Sequence, residues 1–354
     1  MSVIKEMLAA TRSMNTWSRI FCEHLTVTCD DEESDSEPVT MKRILFASDL
    51  HGSEAAFRKF VSAALQYHVD AALTSELTGK FIVPVLKKND GKFEFIFESE
   101  TVKAKNEDEA KKFEAVAASR GEYVYYTTEE EHRELFEKPE AVDKIFEGLM
   151  KERLISWISL AEEKLKGKVP LVMMMPCNDD IFALDEVLAS SNFVVNPEGK
   201  NLTIMDGYEF FATGYCNMTP WKCPRDIPEE ELGRKIDAMA SNVKDWSRTI
   251  IHTHCPPYNT KIDNAPKLDE KFHVVYSGGA PVMHPVGSTS IRKMIEEHQP
   301  MLALHGHIHE GKGIERIGKT LCINSGSEYY KGILSGALVN LEEDRIKGHM
   351  FIFS

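Results

Sequence analysis

Five short apolar runs in this chain each stop at side chains that carry nitrogen or oxygen donors, and that recurrence constrains the fold more than any other feature. The first is Ile44 to Gly52, ILFASDLHG, where apolar residues lead directly into Asp49-Leu50-His51-Gly52. A run of that length closed by a turn residue reads as a buried central strand ending at the carboxyl edge of a sheet, where open α/β sheets bind ligands. Alternation along the strand predicts Asp49 and His51 on one face, a carboxylate oxygen and an imidazole nitrogen converging on one point.

The other four runs repeat the pattern. Ala71 to Thr74 ends at Ser75-Glu76, and Val169 to Met175 ends at Pro176-Cys177-Asn178-Asp179-Asp180. Arg248 to Ile251 runs into His252-Thr253-His254, and Pro300 to Leu304 delivers His305-Gly306-His307-Ile308-His309. Between the first two runs, apolar residues at helical spacing over Ser53 to His68 predict a core-facing helix, which makes a βαβ unit with a right-handed crossover. Asp179 or Asp180 is placed to cap the helix that follows the third run. Pro256 and Pro257 cannot continue a ladder, so the histidines before them mark a strand's end. Thr320 to Ile323, Ala337 to Leu341 and Gly348 to Phe353 are expected to complete a second layer of strands.

The stretches between these runs set the domain expectation: a core made of 41–80 and 169–354, interrupted at 81–168. The interrupting stretch alternates over Lys92 to Phe97, reads as helix over Asn106 to Ser119, as strand over Glu122 to Tyr126, and as Glu- and Lys-rich helices over Thr128 to Leu165. It is expected to be an α+β cap subdomain, with Tyr123, Tyr125 and Tyr126 serving either as packing or as substrate contacts. Residues 1–40 end in an acidic run, Asp30 to Pro38, and read as an N-terminal extension and linker, either a partner-docking or oligomerisation arm or a loosely held tail.

Charge narrows the function. A net charge of -14 argues against general binding to nucleic acid or to a membrane surface, because phosphates would meet repulsion over most of the chain. A small phosphorylated substrate stays compatible, since bound cations reverse the field locally. The seven cysteines are scattered and lack a C-x-x-C pair, which suits a reducing, cytoplasmic location. No apolar run approaches the ~20 residues of a membrane span, and the first twenty or so residues lack the apolar core and cleavage site of a secretory signal.

Taken in order as Asp-x-His, an acid, Asn, His and Gly-His-x-His, the strand-end residues resemble those of the calcineurin-like metallophosphoesterases. The resemblance spans Met41 to Ser354 apart from the insertion. It is closest to a prokaryotic branch with Asn-Asp-Asp, H-x-P-P-Y-x-T and Asn-x-Gly-Ser-x-Tyr motifs, here Asn178-Asp179-Asp180, His254 to Thr260 and Asn324 to Tyr329. The resemblance implies a four-layer αββα sandwich with two divalent metal ions at one rim, manganese or iron first and zinc next. Asp49, His51 and His309 would bind one ion, Asn178, His254 and His307 the other, and Glu76 would bridge them. It implies hydrolysis of a phosphoester, a phosphodiester before a monoester, by a metal-bridging hydroxide, with Asn178 and Asp179 as catalytic residues and a small, nucleotide-like substrate.

Three departures from the family pattern lie at the site. Ser75-Glu76 stands for Gly-Asp, and Cys177 stands for the glycine before the Asn, where glycine's backbone freedom would be lost. Asp179 stands for a histidine that assists the leaving group, a task closed to an ionised carboxylate. These departures favour the alternative reading of a catalytically impaired scaffold that keeps the fold and binds a protein partner. His252 is expected to support the site rather than to ligate.

Overall fold

The computed structural model describes residues 41–97 and 99–354, so the expectations for residues 1–40 fall outside the described residues. Strand β1 (Lys42–Ala47) is flanked by β2 (Ala71–Ser75), which is flanked in turn by β7 (Leu171–Met175), and all three run parallel. Helix α1 (Glu54–Gln66) makes the crossover between β1 and β2, its N-terminus capped by Ser53, whose Oγ accepts from the Ala56 amide at 3.2 Å. On the other side of β1 lies antiparallel β20 (Ser335–Glu342), followed by β21 (Arg345–Phe353), to give a five-stranded sheet. The last two strands therefore join the sheet of β1 rather than completing a second layer, a correction to the sequence reading. Leu338 and Ile352 pack under the helices while Val339 and Leu341 face the other way, an alternation that a short apolar run does not assign to one sheet or the other.

A second, six-stranded sheet has the order β18 (Gly313–Ile317), β19 (Thr320–Asn324), β17 (Leu302–His305), β12 (Thr249–Thr253), β9 (Tyr208–Thr213) and β8 (Asn201–Ile204). Its four inner strands are parallel and its two edges antiparallel. Between β9 and β12, the two-residue strands β10 (Cys216–Asn217) and β11 (Asp226–Ile227) pair with each other. After β12 the short strands β13 (Asn264–Pro266), β14 (Tyr276–Ser277), β15 (Ala280–Pro281) and β16 (Met283–Pro285) build two small antiparallel ribbons.

Alternation explains why these strands read as unbroken apolar runs. Leu45 and Ala47 of β1 pack with Phe57 and Phe60 of α1 and with Leu154 and Trp157 of a long helix, Pro139–Leu165, while Ile44 and Phe46 point to the opposite side. There they share one core with Phe210, Ile250, Leu302, Leu304 and Leu321 of the six-stranded sheet. The far face of that sheet, through Phe211, Ile251 and Ala303, is covered by Ile236 from helix Glu229–Ala240 and by Ile291 and Ile295 from helix Thr289–His298. Strands buried on both faces have no polar face to show.

Residues between β2 and β7 form another sheet, β5 (Glu100–Ala104), β4 (Phe93–Phe97), β3 (Phe81–Lys87) and β6 (Glu122–Thr128), in that order. Helix Glu107–Ser119 packs on it through Ala110 and Phe113, in a core of its own with Val83, Val85, Phe93 and Phe95. Helices Glu129–Phe136 and Pro139–Leu165 then lead back to β7. The candidate site lies past the carboxyl ends of β1, β2, β7, β12 and β17.

Candidate metal centre

Asp49 is the point on which this edge converges. Its Oδ1 lies 3.4 Å from His309 Nε2, 3.7 Å from His254 Nε2 and 3.9 Å from His51 Nε2. His51 Nε2 and His309 Nε2 are 3.1 Å apart, and His254 Nε2 is 3.0 Å from Glu76 Oε2. Asp49, His51 and His309 thus form one compact trio, and Asp49, Glu76 and His254 a second. His307 reaches in from the β17 loop beside His254, ring centroids 5.4 Å apart, and its Nδ1 lies 3.2 Å from Asn178 Oδ1. All seven residues singled out as ligands in the sequence are therefore brought together.

The convergence does not arise as alternation along a strand would produce it. β1 stops at Ala47, and Asp49 and His51 sit beyond it at φ of 59° and 41°. Glu76 at 55° and His307 at 67° share this left-handed region, which side chains other than glycine, Asn and Asp seldom occupy. Four of the thirteen non-glycine residues with positive φ among the described residues are candidate ligands, and the surrounding contacts impose these angles. The amides of Leu50 and His51 both donate to the Glu76 carbonyl, at 3.0 and 3.1 Å, which ties the β1 turn to the β2 turn. Gly306 completes the closure: a β-carbon there would lie 2.1 Å from Ser48 Oγ and 2.4 Å from Asp49 Oδ2.

Two of the departures from the family pattern are absorbed by neighbours. The Ser75 hydroxyl is part of a buried chain in which His252 Nδ1 contacts the Leu304 carbonyl at 2.9 Å, His252 Nε2 contacts Ser75 Oγ at 3.0 Å, Ser75 Oγ contacts Ser48 Oγ at 2.9 Å, and Ser48 Oγ lies 3.4 Å from His254 Nδ1. A carbonyl only accepts, so His252 Nδ1 carries the proton and its neutral Nε2 accepts from Ser75. His254 Nδ1 faces this chain, and its Nε2 faces Asp49 and Glu76. Cys177 is fully buried and its φ lies outside the left-handed region, so the turn before Asn178 does not require glycine.

Asp180 does not cap the next helix, Ala183–Ala189, whose N-terminus has no side-chain cap. Its carboxylate instead accepts from the amides of Leu77, Thr78 and Cys177, each at 2.9 Å, and from the Thr78 hydroxyl at 2.5 Å, clamping the β2 and β7 turns together. Asp226 fixes Asn178: its Oδ1 accepts from Asn178 Nδ2 at 3.3 Å, while its Oδ2 holds the Thr219 and Cys223 amides at 3.1 and 2.8 Å. Asp226 and Ser48 went unassigned in the sequence because each acts through a contact distant along the chain. Tyr125 and Tyr126 bond within their own region, to Glu131 and Glu114, while Tyr123 packs in the core beside Trp157 and accepts from the Gly79 amide.

The electrostatics call for a cation. Burial pushes His254 and His307 down to about 4 and His51 well below its ordinary value, so these imidazoles are neutral ligands at neutral pH. Asp49 is held well below the carboxylate range: burial acts to raise it, and the surrounding imidazoles of His254, His309 and His51 outweigh that. Glu76 is driven well above its range by burial and by Asp180, Asp179 and Asp49. Buried Glu76 Oε1 and His254 Nε2 have no hydrogen-bond partner. Donor atoms bonded to one ion at about 2.1 Å stand about 3 to 3.5 Å apart, close to the separations around Asp49. The residues present therefore fit a divalent metal. Asp179 is different: burial acts to raise it, but the Lys80 ammonium and His51 bring it to about 2, and it pairs with Lys80.

No family model matches the sequence. The uncharacterized protein MJ1162 of Methanocaldococcus jannaschii is 30% identical to it over 161 residues, 45% of this chain and 65% of that protein, so the chain spans 65% of the curated relative it matches. Among solved structures, TT1561 of Thermus thermophilus aligns over 89% of this chain and 99% of its own, at 13% identity and a TM-score of 0.48. A structure described as a novel archaeal phosphodiesterase aligns over 56% of this chain and 91% of its own, at 16% identity and a TM-score of 0.23.

Proposed function

We propose that this protein is a metal-dependent phosphoesterase of the metallophosphoesterase family, with the four-layer αββα core of that family and residues 81–168 as an inserted cap. The observation that carries the reading is the placement of Asp49 Oδ1 within 3.4 to 3.9 Å of three histidine nitrogens, with Glu76, Asn178 and His307 beside them. Asp49, His51 and His309 would hold one divalent ion and Asn178, His254 and His307 a second, with Glu76 placed to serve both. Nitrogen and carboxylate donors suit manganese, iron or zinc. Such ions supply an activated water and polarise the phosphoryl oxygens. The free state of the described cysteines agrees with a cytoplasmic setting.

The protein's own residues orient and exclude. Neutral imidazoles offer lone pairs without a proton to displace, and the serine chain behind His254 fixes which nitrogen faces the ions. Asp179, ionised and paired with Lys80, holds no proton for a leaving group. The reading therefore favours phosphodiesters with good leaving groups over alkyl monoesters.

The test is metal content per chain, by mass spectrometry on protein purified without chelator, together with hydrolysis of bis-nitrophenyl phosphate with added manganese. Bound metal and turnover are expected in the natural protein, and His51→Ala and His307→Ala should each lower turnover by about 100-fold or more. No metal and no turnover would instead support a scaffold that keeps the fold.

A further inference from the structure

We infer that Lys80 and Tyr329 form an anion-binding rim on this centre and contact the non-bridging oxygens of the substrate's phosphoryl group. The inference rests on the phosphoesterase reading and names residues that the ligand set leaves out.

Lys80 stands four residues beyond Glu76, at the mouth of the site, with its side chain 41% exposed. Its ammonium pairs with Asp179, whose carboxylate belongs to a compact trio with His51 and Glu76, so the charge sits one carboxylate's width from the candidate ligands. An ammonium has three donors. Asp179 takes one and holds the side chain in place, which leaves the others for a further acceptor.

Tyr329 stands over the first trio. Its ring packs on both imidazoles of the first trio, 4.6 Å from His51 and 5.8 Å from His309 between centroids. The residue is half-buried, and its hydroxyl makes no hydrogen bond among the described residues and lies in the field of Lys80, Asp179 and Asp49. A cation and a hydroxyl, each with an unspent donor, thus stand beside a cluster that could hold metal.

Phosphate matches this pair better than a neutral ligand does. Asp49, Glu76 and Asp179 make the bare site acidic, and bound metal ions offset that charge without adding directional donors at the mouth. Charge-assisted bonds from an ammonium to phosphate oxygens are roughly twice as strong as neutral ones, and the phenol adds a second donor of fixed position.

The experiment is calorimetric titration of inorganic phosphate into the metal-loaded protein, with metal per chain measured on each sample. Lys80→Met is expected to weaken phosphate binding by about tenfold or more, and Tyr329→Phe by about three- to tenfold, with metal content unchanged. Lys80→Arg should retain affinity to within about threefold. Asp179→Asn keeps a binding competent ammonium, so it should retain phosphate binding that the double variant Lys80→Met, Asp179→Asn loses. Phosphate binding unchanged within about twofold in both Lys80→Met and Tyr329→Phe overturns the inference and leaves the phosphoesterase reading standing. A natural protein that takes up no metal overturns both.

Discussion

A β-carbon on Gly121 would lie 2.1 Å from the carbonyl oxygen of His51. The stretch between β2 and β7 therefore touches the centre through backbone, at the turn between helix Glu107–Ser119 and β6, and the same glycine lies against the Tyr329 ring. Its φ of 88° is also one that other residues rarely adopt.

Gly121→Ala should consequently do two things. The strained φ alone removes about 1 kcal/mol of stability, and the clash adds to it by moving the His51 carbonyl or the turn itself. Metal per chain should fall along with the melting temperature. Gly91→Ala is the control: its φ of 80° is equally unfavourable but nothing lies within 4 Å of the added carbon. It should cost about 1 kcal/mol and leave metal content unchanged. Equal metal content in the two variants would show that the His51 contact does not shape the site.

The Asp180 clamp gives a second prediction. Asp180→Ala leaves the buried amides of Leu77, Thr78 and Cys177 without an acceptor, a loss of about 3 to 5 kcal/mol by chemical denaturation. Asp180→Asn should recover no more than about half of that, because one of its two positions is then a donor facing a donor. Glu76 and Asn178 sit on the two turns that Asp180 joins, so metal affinity should drop in both variants. A full recovery by Asn would mean that the clamp does not depend on the carboxylate.

How much of this was legible in the sequence follows from where the information lies. Strands buried on both faces must be apolar throughout, so β1, β2, β7, β12 and β17 announce themselves, and the ligands follow them directly. The backbone angles at Asp49, His51, Glu76 and His307 do not announce themselves, because nothing in those residue types demands a left-handed turn and the surrounding contacts impose it. Asp180 read as a helix cap for the same reason: capping is local, whereas its actual partners Leu77 and Thr78 are 103 and 102 residues away. The serine chain behind His254 spans 206 residues from Ser48 and leaves no local pattern to find.

The buried histidines give a prediction about acid. His252 and His305 lie outside the proposed ligand set, and burial lowers each to about 4 in the folded protein, from an ordinary value of 6.5. A base that is neutral when folded and takes up a proton when unfolded gives stability that is present above pH 6.5 and lost as pH falls towards 4, since the unfolded chain then binds more protons. Each should withdraw on the order of 2 kcal/mol by pH 5, and His254 and His307 act in the same direction. Chemical denaturation of the metal-free protein in chelator, at pH 7.5, 6 and 5 (values chosen to bracket this window), should show a steep fall. His305→Asn should make that slope shallower by about one proton. A slope that is flat across the window, or unchanged in the variant, would mean that these rings reach water in the folded protein.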